Sequence, residues 1–542
     1  MKAITTSRAG YFLIFSAIGL LGAAMVWYGT TWGPWAFSDG VGYLVSARNL
    51  VEGIGLGLVQ ASGEFEPLVS HPPLYPLILA AISSTGVGVI QAARWIDVAA
   101  FALLVGGTGY LTARITGGLS WGAAAALLIL ANPAIVLLYL SAMAEGLFLT
   151  SGILALLLLP RWHQTRDDRC FWFSAILASM SVLARYPGVV FGLTGAGFTL
   201  WAAVNGDRRL AKSLQYGAVA ILPAFVFVGY SMLIQGSSAP RAIIGPEGSE
   251  ASLAALAAQF ASELWTWKPV PAIAAVQAVF DLPNSPVVVA GIASLVGLSA
   301  AAVAAILLGR ALGGRAIGRS DQPLRIAACS LIAFSLLYAA FVIASYFLTY
   351  PTLDINTRTL IPVLVAGLLF LVLGLGHAAG SGLPYATAVR CAAAAFVIFA
   401  AIGYGVATAD IVAGHHRTGG GYTAKAWRQS PSLAAVMRLP SGTALISNAP
   451  EAILLYANRY PYDVTDWVES QTPEPGGAAF GCGTTELERI FQEGAYLVMF
   501  RPVGWSGPAE ADGIVLPGEL GICGAQEVGS FADGVMYLPA DH

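Results

Sequence analysis

The chain has 542 residues, of which 57% are hydrophobic and 11% are charged, and its mean hydropathy is +0.71. Soluble domains usually carry about 25% charged residues, so this composition indicates an integral membrane protein and excludes a purely soluble one. The net charge of −3 and the lack of a long basic segment exclude nucleic acid as an expected partner.

The N-terminal segment resembles a signal sequence. Lys2 and Arg8 precede an apolar run from Tyr11 to about Trp27. No small-residue cleavage site follows this run, so we predict an uncleaved signal anchor with its N-terminus in the cytoplasm.

Further apolar runs predict a polytopic membrane protein, because about 20 residues cross a hydrocarbon core of roughly 30 Å. We predict about eleven transmembrane helices, at 11–29, 92–113, 120–141, 145–160, 171–185, 187–203, 213–234, 286–308, 326–349, 359–376 and 390–409. Another apolar segment, 72–88, either crosses or lies along the surface, and this choice sets the direction of every later span.

The basic residues decide between these alternatives. If 72–88 does not cross, the basic connectors at Arg114, 161–169, 208–212 and 310–325 all face the cytoplasm, as the positive-inside rule requires. The sequence therefore predicts an all-α membrane domain, 1–409, in the plasma membrane, with the C-terminus outside the cytoplasm. Its outer side would hold loop 30–91, Glu145, Arg185, loop 235–285 and loop 350–358.

Residues 410–542 predict a small extracytoplasmic α/β domain. The turn-prone stretch Gly414–Gly421 would link it to the last span. Its predicted strands are 443–447, 495–500 and 535–538, with a helix at 450–459. Cys482 and Cys523 would lie in an oxidising compartment, where a disulfide is expected and two unpaired thiols are the alternative.

Loop 30–91 contains an acidic residue ahead of a predicted interfacial helix. Leu44, Val45, Ala47 and Val51 are apolar, and Arg48 and Asn49 oppose them. Asp39 either caps this helix or provides a carboxylate that accepts a proton from an acceptor hydroxyl. In loop 235–285, Trp265–Lys268 fits an interfacial aromatic belt or a sugar platform.

The order and spacing of these residues resemble a known family. Asp39, the helix ending at Gly53 and the string His71–Pro76 (HPPLYP) are similar to the first loop of the polyprenyl-phosphate-sugar-dependent membrane glycosyltransferases of GT-C type. That superfamily includes the protein O-mannosyltransferases and the lipid A aminoarabinose transferases. The resemblance extends through Ala93–Arg94, Arg114 and Ser141–Glu145. It covers roughly the first 200 residues, and the remaining spans agree only in general topology.

The resemblance implies roles for three of these residues. Asp39 matches the acidic residue that acts as catalytic base or positions the acceptor, and Glu145 matches a second acidic position on the same cavity. His71 stands where relatives place a residue near the donor phosphate. Relatives have an acidic pair in the first loop, whereas Gly40 follows Asp39 here, which puts metal dependence in doubt. Asp39 and Glu145 could still share a divalent cation, Mg²⁺ or Mn²⁺.

Two arginines are candidates for binding the donor phosphate. Arg358 precedes a proline in the same way as in relatives, and its planar fork of donors suits a phosphate. Asp354 could instead orient Arg358 through an ion pair. Arg185 and Tyr186 form an outer turn that either anchors the chain or binds an anion. Glu145 either reaches to the interface or has a function, and an acid beside the bilayer favours function.

These features predict a membrane glycosyltransferase that moves a sugar from a polyprenyl-phosphate donor to an acceptor hydroxyl on the outer face, with inversion. The acceptor, whether protein, lipid or polysaccharide, stays open. The alternatives are a transporter or flippase for the same lipid and a non-catalytic cell-envelope assembly protein. Transporters place charges near the bilayer midplane within repeated halves, and the sequence shows no such repeat.

Overall fold

The computed structural model describes residues 8–69, 71–202, 209–235, 242–243, 252–267, 322–350, 352–380, 386–464, 486–501, 503–504, 507–508, 517 and 522–540. Several features predicted from the sequence lie wholly or mostly outside these residues, among them the span 286–308, the basic connector 310–325, Lys268 and Cys482.

Most of the described chain is helical. Within it, seven helices are long and apolar enough to cross a membrane: Ala9–Gly29, Val89–Thr116, Ala144–Thr165, Leu210–Ile234, Pro323–Leu348, Thr357–Ala379 and Arg390–Thr418. Five of these spans are parts of slightly longer helices: Arg8–Gly29, Arg209–Gln235, Gln322–Leu348, Thr357–Gly380 and Ala386–Thr418. Each overlaps a span that the sequence predicts.

The predicted span 120–141 is a bent pair of helices, Leu119–Ala131 and Pro133–Tyr139, which meet at 67°. Asn132 lies at the bend and its side-chain oxygen accepts from the backbone N–H groups of Ala134 and Ile135. Pro133 follows at the first helical position, where its missing N–H costs little. Counted as one span, this pair brings the described candidates to eight.

Two further predicted spans form shorter helices. The predicted spans 171–185 and 187–203 overlap the helices Asp168–Ala184 and Val189–Ala202, which have 17 and 14 residues. Arg185 and the 3₁₀ turn Tyr186–Gly188 join them. Because these helices are short and 286–308 is not described, the total of eleven spans stays a prediction.

The segment 72–88 forms a ten-residue helix, Leu74–Ser83. At 1.5 Å per residue it is about 15 Å long, which is half of a hydrocarbon core. The predicted interfacial helix is Ser38–Val51, and a small hairpin, Gly57–Val59 with Phe65–Pro67, follows it. The remaining elements before the last span are the helix Leu253–Thr266 and the paired strands Ala242–Ile243 and Thr349–Tyr350.

The C-terminal region, residues 419–540, contains a mixed five-stranded sheet. In spatial order its strands are Ala525–Phe531, Gly534–Pro539, Tyr496–Phe500, Leu445–Ser447 and Tyr462–Asp463. The first three pair antiparallel and the last three parallel. Its other elements in the described residues are the helices Lys425–Arg428, Pro431–Val436, Pro450–Ala457 and Glu486–Gln492 and the hairpin Val503–Gly504 with Gly507–Pro508. The strands and the helix that the sequence predicts here are all present.

The predicted turn at Gly414–Gly421 is wrong in its first half, because the last membrane helix continues to Thr418. Side-chain contacts stabilise the helical turns that extend beyond the predicted span to Thr418. The ring of His416 stacks on Tyr28 with 3.8 Å between centroids, and His415 hydrogen-bonds the carbonyl oxygen of Ile411. The helix ends where Gly419 adopts a φ of +69°, a conformation that glycine allows at a helix C-terminus.

The C-terminal region shares a hydrophobic core with the interfacial helices. Buried residues of the helices Ser38–Val51 and Leu74–Ser83 pack in one cluster with residues of the C-terminal helices and strands, among them Leu44, Tyr75, Trp427, Ile453 and Phe500. A separate cluster fills the space between the membrane helices. Cys523 is disulfide-bonded, and its predicted partner is outside the described residues.

Candidate active site

Glu145 is the centre of an ion-pair cluster. It lies in the first turn of the helix Ala144–Thr165 and is only 2% exposed. Its Oε1 accepts from Nη1 of Arg185 and from Nε of Arg358. Two guanidinium groups therefore compensate one buried carboxylate, which would otherwise be costly in an apolar environment.

Asp39 joins this cluster through Arg358. Nη2 of Arg358 donates to Oδ2 of Asp39 at 2.9 Å. Arg358 thus bridges the two carboxylates that the sequence singles out, and the order of charges is Arg185, Glu145, Arg358, Asp39. Asp354, the alternative partner of Arg358, makes no ion pair with it among the described residues.

Each of the four charged side chains of this cluster lies at or next to the end of a helix. Asp39 and Arg358 lie in the first turns of the helices Ser38–Val51 and Thr357–Gly380, and Arg185 follows the last residue of Asp168–Ala184. Asp39 does not cap its helix, because the capping position belongs to Phe37 and carries no side-chain bond. The negative side chains Asp39 and Glu145 both lie at helix N-termini, where the helix dipole favours them.

The environment lowers the pKa of the Asp39 carboxyl. Burial alone would raise this pKa, but the hydrogen bond and charge of Arg358, together with the charge of Arg185, outweigh it. Asp39 is therefore ionised at neutral pH, and Arg358 holds it in that form.

His71 lies beside the cluster, as the sequence predicts. Its ring packs edge-on against Tyr43 with 5.5 Å between centroids, and Tyr43 packs in the same way against Tyr75. Burial lowers the pKa of His71, with Asp39 opposing the shift, so the imidazole is neutral near pH 7. Tyr186 is on the same side, with its hydroxyl 3.4 Å from the carbonyl oxygen of Val69, and burial raises its pKa to about 12.

A cavity of about 420 Å³ opens at the cluster. Asp39, Glu145 and Arg358 provide its charged lining. Most of the other lining residues are apolar. They come from the loop before Asp39, the bent helix pair, the residue before the helix of Glu145, and the helix of Arg358: Trp35, Phe37, Ala134, Leu137, Leu138, Met143 and Ile361. A charged end and an apolar wall therefore meet in a single cavity.

The predicted shared metal does not fit this arrangement well. The guanidinium of Arg358 lies between the two carboxylates, in the position that a divalent cation would need. In the described part of the chain, no group of three or more His, Cys, Asp or Glu side chains lies close enough to hold a metal ion.

The structure adds two residues that the sequence analysis does not single out. Tyr43 connects His71 to Tyr75 through ring contacts, and burial raises its pKa. Asp97, in the helix Val89–Thr116, is only 1% exposed. Its Oδ1 lies near Gly146, the residue after Glu145. An acidic residue in the middle of a predicted span was the one available signal for Asp97.

Comparisons with known proteins agree with the motifs. Residues 70–231 match the family model described as dolichyl-phosphate-mannose-protein mannosyltransferase. This segment contains His71, Glu145, Arg185 and Tyr186, whereas Asp39 and Arg358 lie outside it. No curated protein gives a match. The family-model match confirms the predicted resemblance to the membrane glycosyltransferase superfamily, and with the apolar helices it supports a multi-pass membrane protein.

Two solved structures resemble the chain across most of its length. One is ArnT from Cupriavidus metallidurans bound to undecaprenyl phosphate, at 14% identity and a TM-score of 0.48, covering 98% of each chain. The other is the archaeal oligosaccharyltransferase AglB from Archaeoglobus fulgidus with an inhibitory peptide and a dolichol-phosphate. It is 12% identical with a TM-score of 0.48, over 90% of this chain and 69% of that one. Similarities at this level support no conclusion about substrates.

Proposed function

We propose that the protein transfers a sugar from a polyprenyl-phosphate donor to an acceptor hydroxyl at the mouth of this cavity, on the outer face of the membrane. The observation that carries the proposal is the meeting of the Asp39–Arg358–Glu145 cluster with an apolar wall formed by membrane helices. A polyprenyl-phosphate sugar has the same division, with an anionic head and an apolar tail.

In this proposal Arg358 binds the donor phosphate. Its side chain is 39% exposed, so it reaches the cavity while remaining anchored on Glu145. Arg185 donates to the same Oε1 of Glu145, so that two arginines balance the negative charges of Glu145 and Asp39. Arginine presents parallel N–H donors that match phosphate oxygens.

Asp39 is the proposed general base. Its carboxylate takes the proton from the acceptor hydroxyl, and the hydroxyl oxygen forms the new bond to the anomeric carbon. The bond from that carbon to the phosphate oxygen breaks, and the polyprenyl phosphate leaves with the electron pair. A single displacement of this kind inverts the anomeric configuration, and the arginines stabilise the charge that develops on the leaving phosphate.

Donor binding would also activate the base. Arg358 is bonded to Asp39 and lowers the pKa of its carboxyl. A phosphate that draws the guanidinium away removes the strongest stabilisation of the Asp39 anion. The carboxylate would then become a stronger base only when a donor is in place, which would limit wasteful proton transfer.

No step in this proposal depends on a metal ion, because Arg358 lies between the two carboxylates. His71, which is neutral near pH 7, would contribute a hydrogen bond to the head group rather than a charge. Tyr186 would border the same side of the site.

The test uses the purified full-length protein and a panel of labelled polyprenyl-phosphate sugars, with transfer and hydrolysis both measured. Asp39→Asn should lower turnover by about 10²- to 10⁴-fold, the usual contribution of a general base. Asp354→Asn is the matched control, because this exposed acid is close in sequence to Arg358 and outside the cluster. Addition of a chelator should leave turnover unchanged.

Full turnover by Asp39→Asn would overturn the assignment of the base. Failure of the wild-type protein to turn over any donor, although it binds one, would favour a lipid transporter or an assembly protein instead.

A further inference from the structure

The loop that leads into Asp39 is held on both sides. On one side it pairs with the segment before Glu145: the N–H of Trp35 donates to the carbonyl oxygen of Leu140 at 2.7 Å, and the N–H of Ala142 donates to the carbonyl oxygen of Trp35 at 2.8 Å. Backbone hydrogen bonds therefore link the segment before Asp39 to the segment before Glu145.

The other side of this loop pairs with the start of the C-terminal region. The N–H of Tyr422 donates to the carbonyl oxygen of Ala36 at 2.8 Å. The hydroxyl of Thr423, which is fully buried, donates to the carbonyl oxygen of Pro34 at 2.7 Å. A segment almost 400 residues away in the sequence thus completes the backbone pairing next to Asp39.

Gly421 permits this close approach. It adopts a φ of +57°, and a Cβ at this position would overlap the carbonyl oxygen of Ala36 and the indole ring of Trp35. Both the backbone conformation and the space therefore require glycine here.

The far end of the Asp39 helix is tied to the same region. Arg48 donates to the carbonyl oxygens of Leu454 and Leu455, at 2.8 and 3.0 Å, near the end of the helix Pro450–Ala457. The hydroxyl of Tyr460 donates to the side-chain oxygen of Asn49, which is fully buried. The polar face that the sequence assigns to an interfacial helix thus contacts the C-terminal region.

The backbone next to Asp39 needs such support. Ser38 has a φ of +27°, a region that residues other than glycine rarely adopt. A conformation of this kind persists only where the surrounding structure imposes it, and such residues cluster at functional sites. The pairing of residues 34–36 on both sides supplies this constraint.

We propose that the C-terminal region is part of the catalytic unit, with Gly421 and Thr423 as positioning residues that fix the place of Asp39 relative to Arg358. This inference rests on the proposed function, because it assumes that Asp39 acts as the base. A shift of the 34–36 segment moves the Asp39 carboxylate relative to Arg358 and to the acceptor, and displacement of about 1 Å can cost 10²-fold in rate.

The experiment compares two pairs of variants in the full-length protein, using the donor that the wild type turns over. Gly421→Ala is matched with Gly442→Ala, a C-terminal glycine with open space around it. Thr423→Val is matched with Thr418→Val, whose hydroxyl bonds within the end of its own helix. Turnover is divided by the number of donor-binding sites measured with labelled donor, and thermal unfolding is recorded for each variant.

We expect turnover per donor site to fall about tenfold or more for Gly421→Ala and about threefold for Thr423→Val, with donor affinity within about twofold of wild type. A merely structural role would reduce the number of donor sites and leave turnover per site unchanged. Gly442→Ala and Thr418→Val should match the wild type.

Turnover per site equal to that of the controls in both Gly421→Ala and Thr423→Val would overturn the inference while leaving the proposed function intact. If Gly421→Ala does not fold, Thr423→Val alone decides, because it removes a hydroxyl without adding volume. Absence of turnover in the wild type would overturn the proposed function and this inference together.

Discussion

Glu145 and Asp97 are two carboxyl groups buried to almost the same extent in the helical part of the protein, at 2% and 1% exposure. Glu145 binds two arginines through Oε1, whereas Asp97 makes no ion pair among the described residues. The two lie close together, since Oδ1 of Asp97 is near Gly146. Burial by itself therefore does not distinguish the two acids, and their counter-charges do.

The difference has a physical basis. Removing one partner from a buried ion pair leaves an uncompensated charge, at a cost of about 3–5 kcal/mol. A buried carboxyl without ionic partners has no such pair to lose. The comparison can therefore be tested by making the same amide substitution at both positions.

The largest effect is expected for Glu145→Gln. This substitution keeps the side-chain shape but leaves Arg185 and Arg358 close together without their shared anion. Turnover with the active donor should fall by about 10²- to 10³-fold, because Arg358 loses the anion that positions it at the donor phosphate. Donor binding and thermal unfolding on the same sample establish that the variant is folded. Activity within twofold of wild type would show that the pairing of Glu145 is not required.

An effect of intermediate size is expected for Arg358→Gln, on the pH dependence of kcat/KM. Asp39 must be ionised to act as a base, and Arg358 lowers the pKa of its carboxyl, so the acid limb of kcat/KM for the wild type should lie below the usual aspartate value of about 3.9. In Arg358→Gln, burial is no longer offset by this cation, and the acid limb should move to higher pH. The measurement is relative kcat/KM against pH for both proteins. An acid limb at the same pH in both would mean that Arg358 does not control Asp39.

The smallest effect is expected for Asp97→Asn. An amide replaces the carboxyl at nearly constant volume, and the described structure gives Asp97 no ion pair to break. Turnover should stay within about twofold of wild type, and the free energy of unfolding within about 1 kcal/mol, as is usual when no specific contact is lost. A loss of tenfold or more would place Asp97 inside the catalytic machinery and remove the contrast with Glu145.

Much of the helical part could be predicted from apolar runs alone, because a membrane span is marked by length and composition. The sequence also located the strands at 445–447, 496–500 and 534–539, where β-prone runs lie between turns. The end of the last membrane helix could not be predicted. Gly414 suggests a turn, but stacking of His416 on Tyr28 outweighs this local preference.

The candidate site, too, could be predicted only in part from the sequence. Asp39, His71, Glu145, Arg185 and Arg358 could be placed on one side of the membrane from topology and motif, and the structure brings these side chains together. Their pairing could not be read from the sequence, because Arg358 lies 319 residues from Asp39. Likewise, Arg48 and Asn49 look like solvent-facing polar residues in the sequence, and only the packing of the C-terminal region shows their partners.

The stacking of Tyr28 on His416 also constrains the membrane topology, because the two residues must lie on the same side of the membrane. Tyr28 is at the C-terminal end of the first membrane helix and His416 is at the C-terminal end of the last, so the chain leaves the membrane on one common face at both points. The number of crossings between residues 30 and 416 must therefore be even, and the eleven predicted spans, one before residue 30 and ten after it, satisfy this condition. Loop 30–91 and the C-terminal region then share one compartment, so a single accessibility label on the C-terminus would report the location of both.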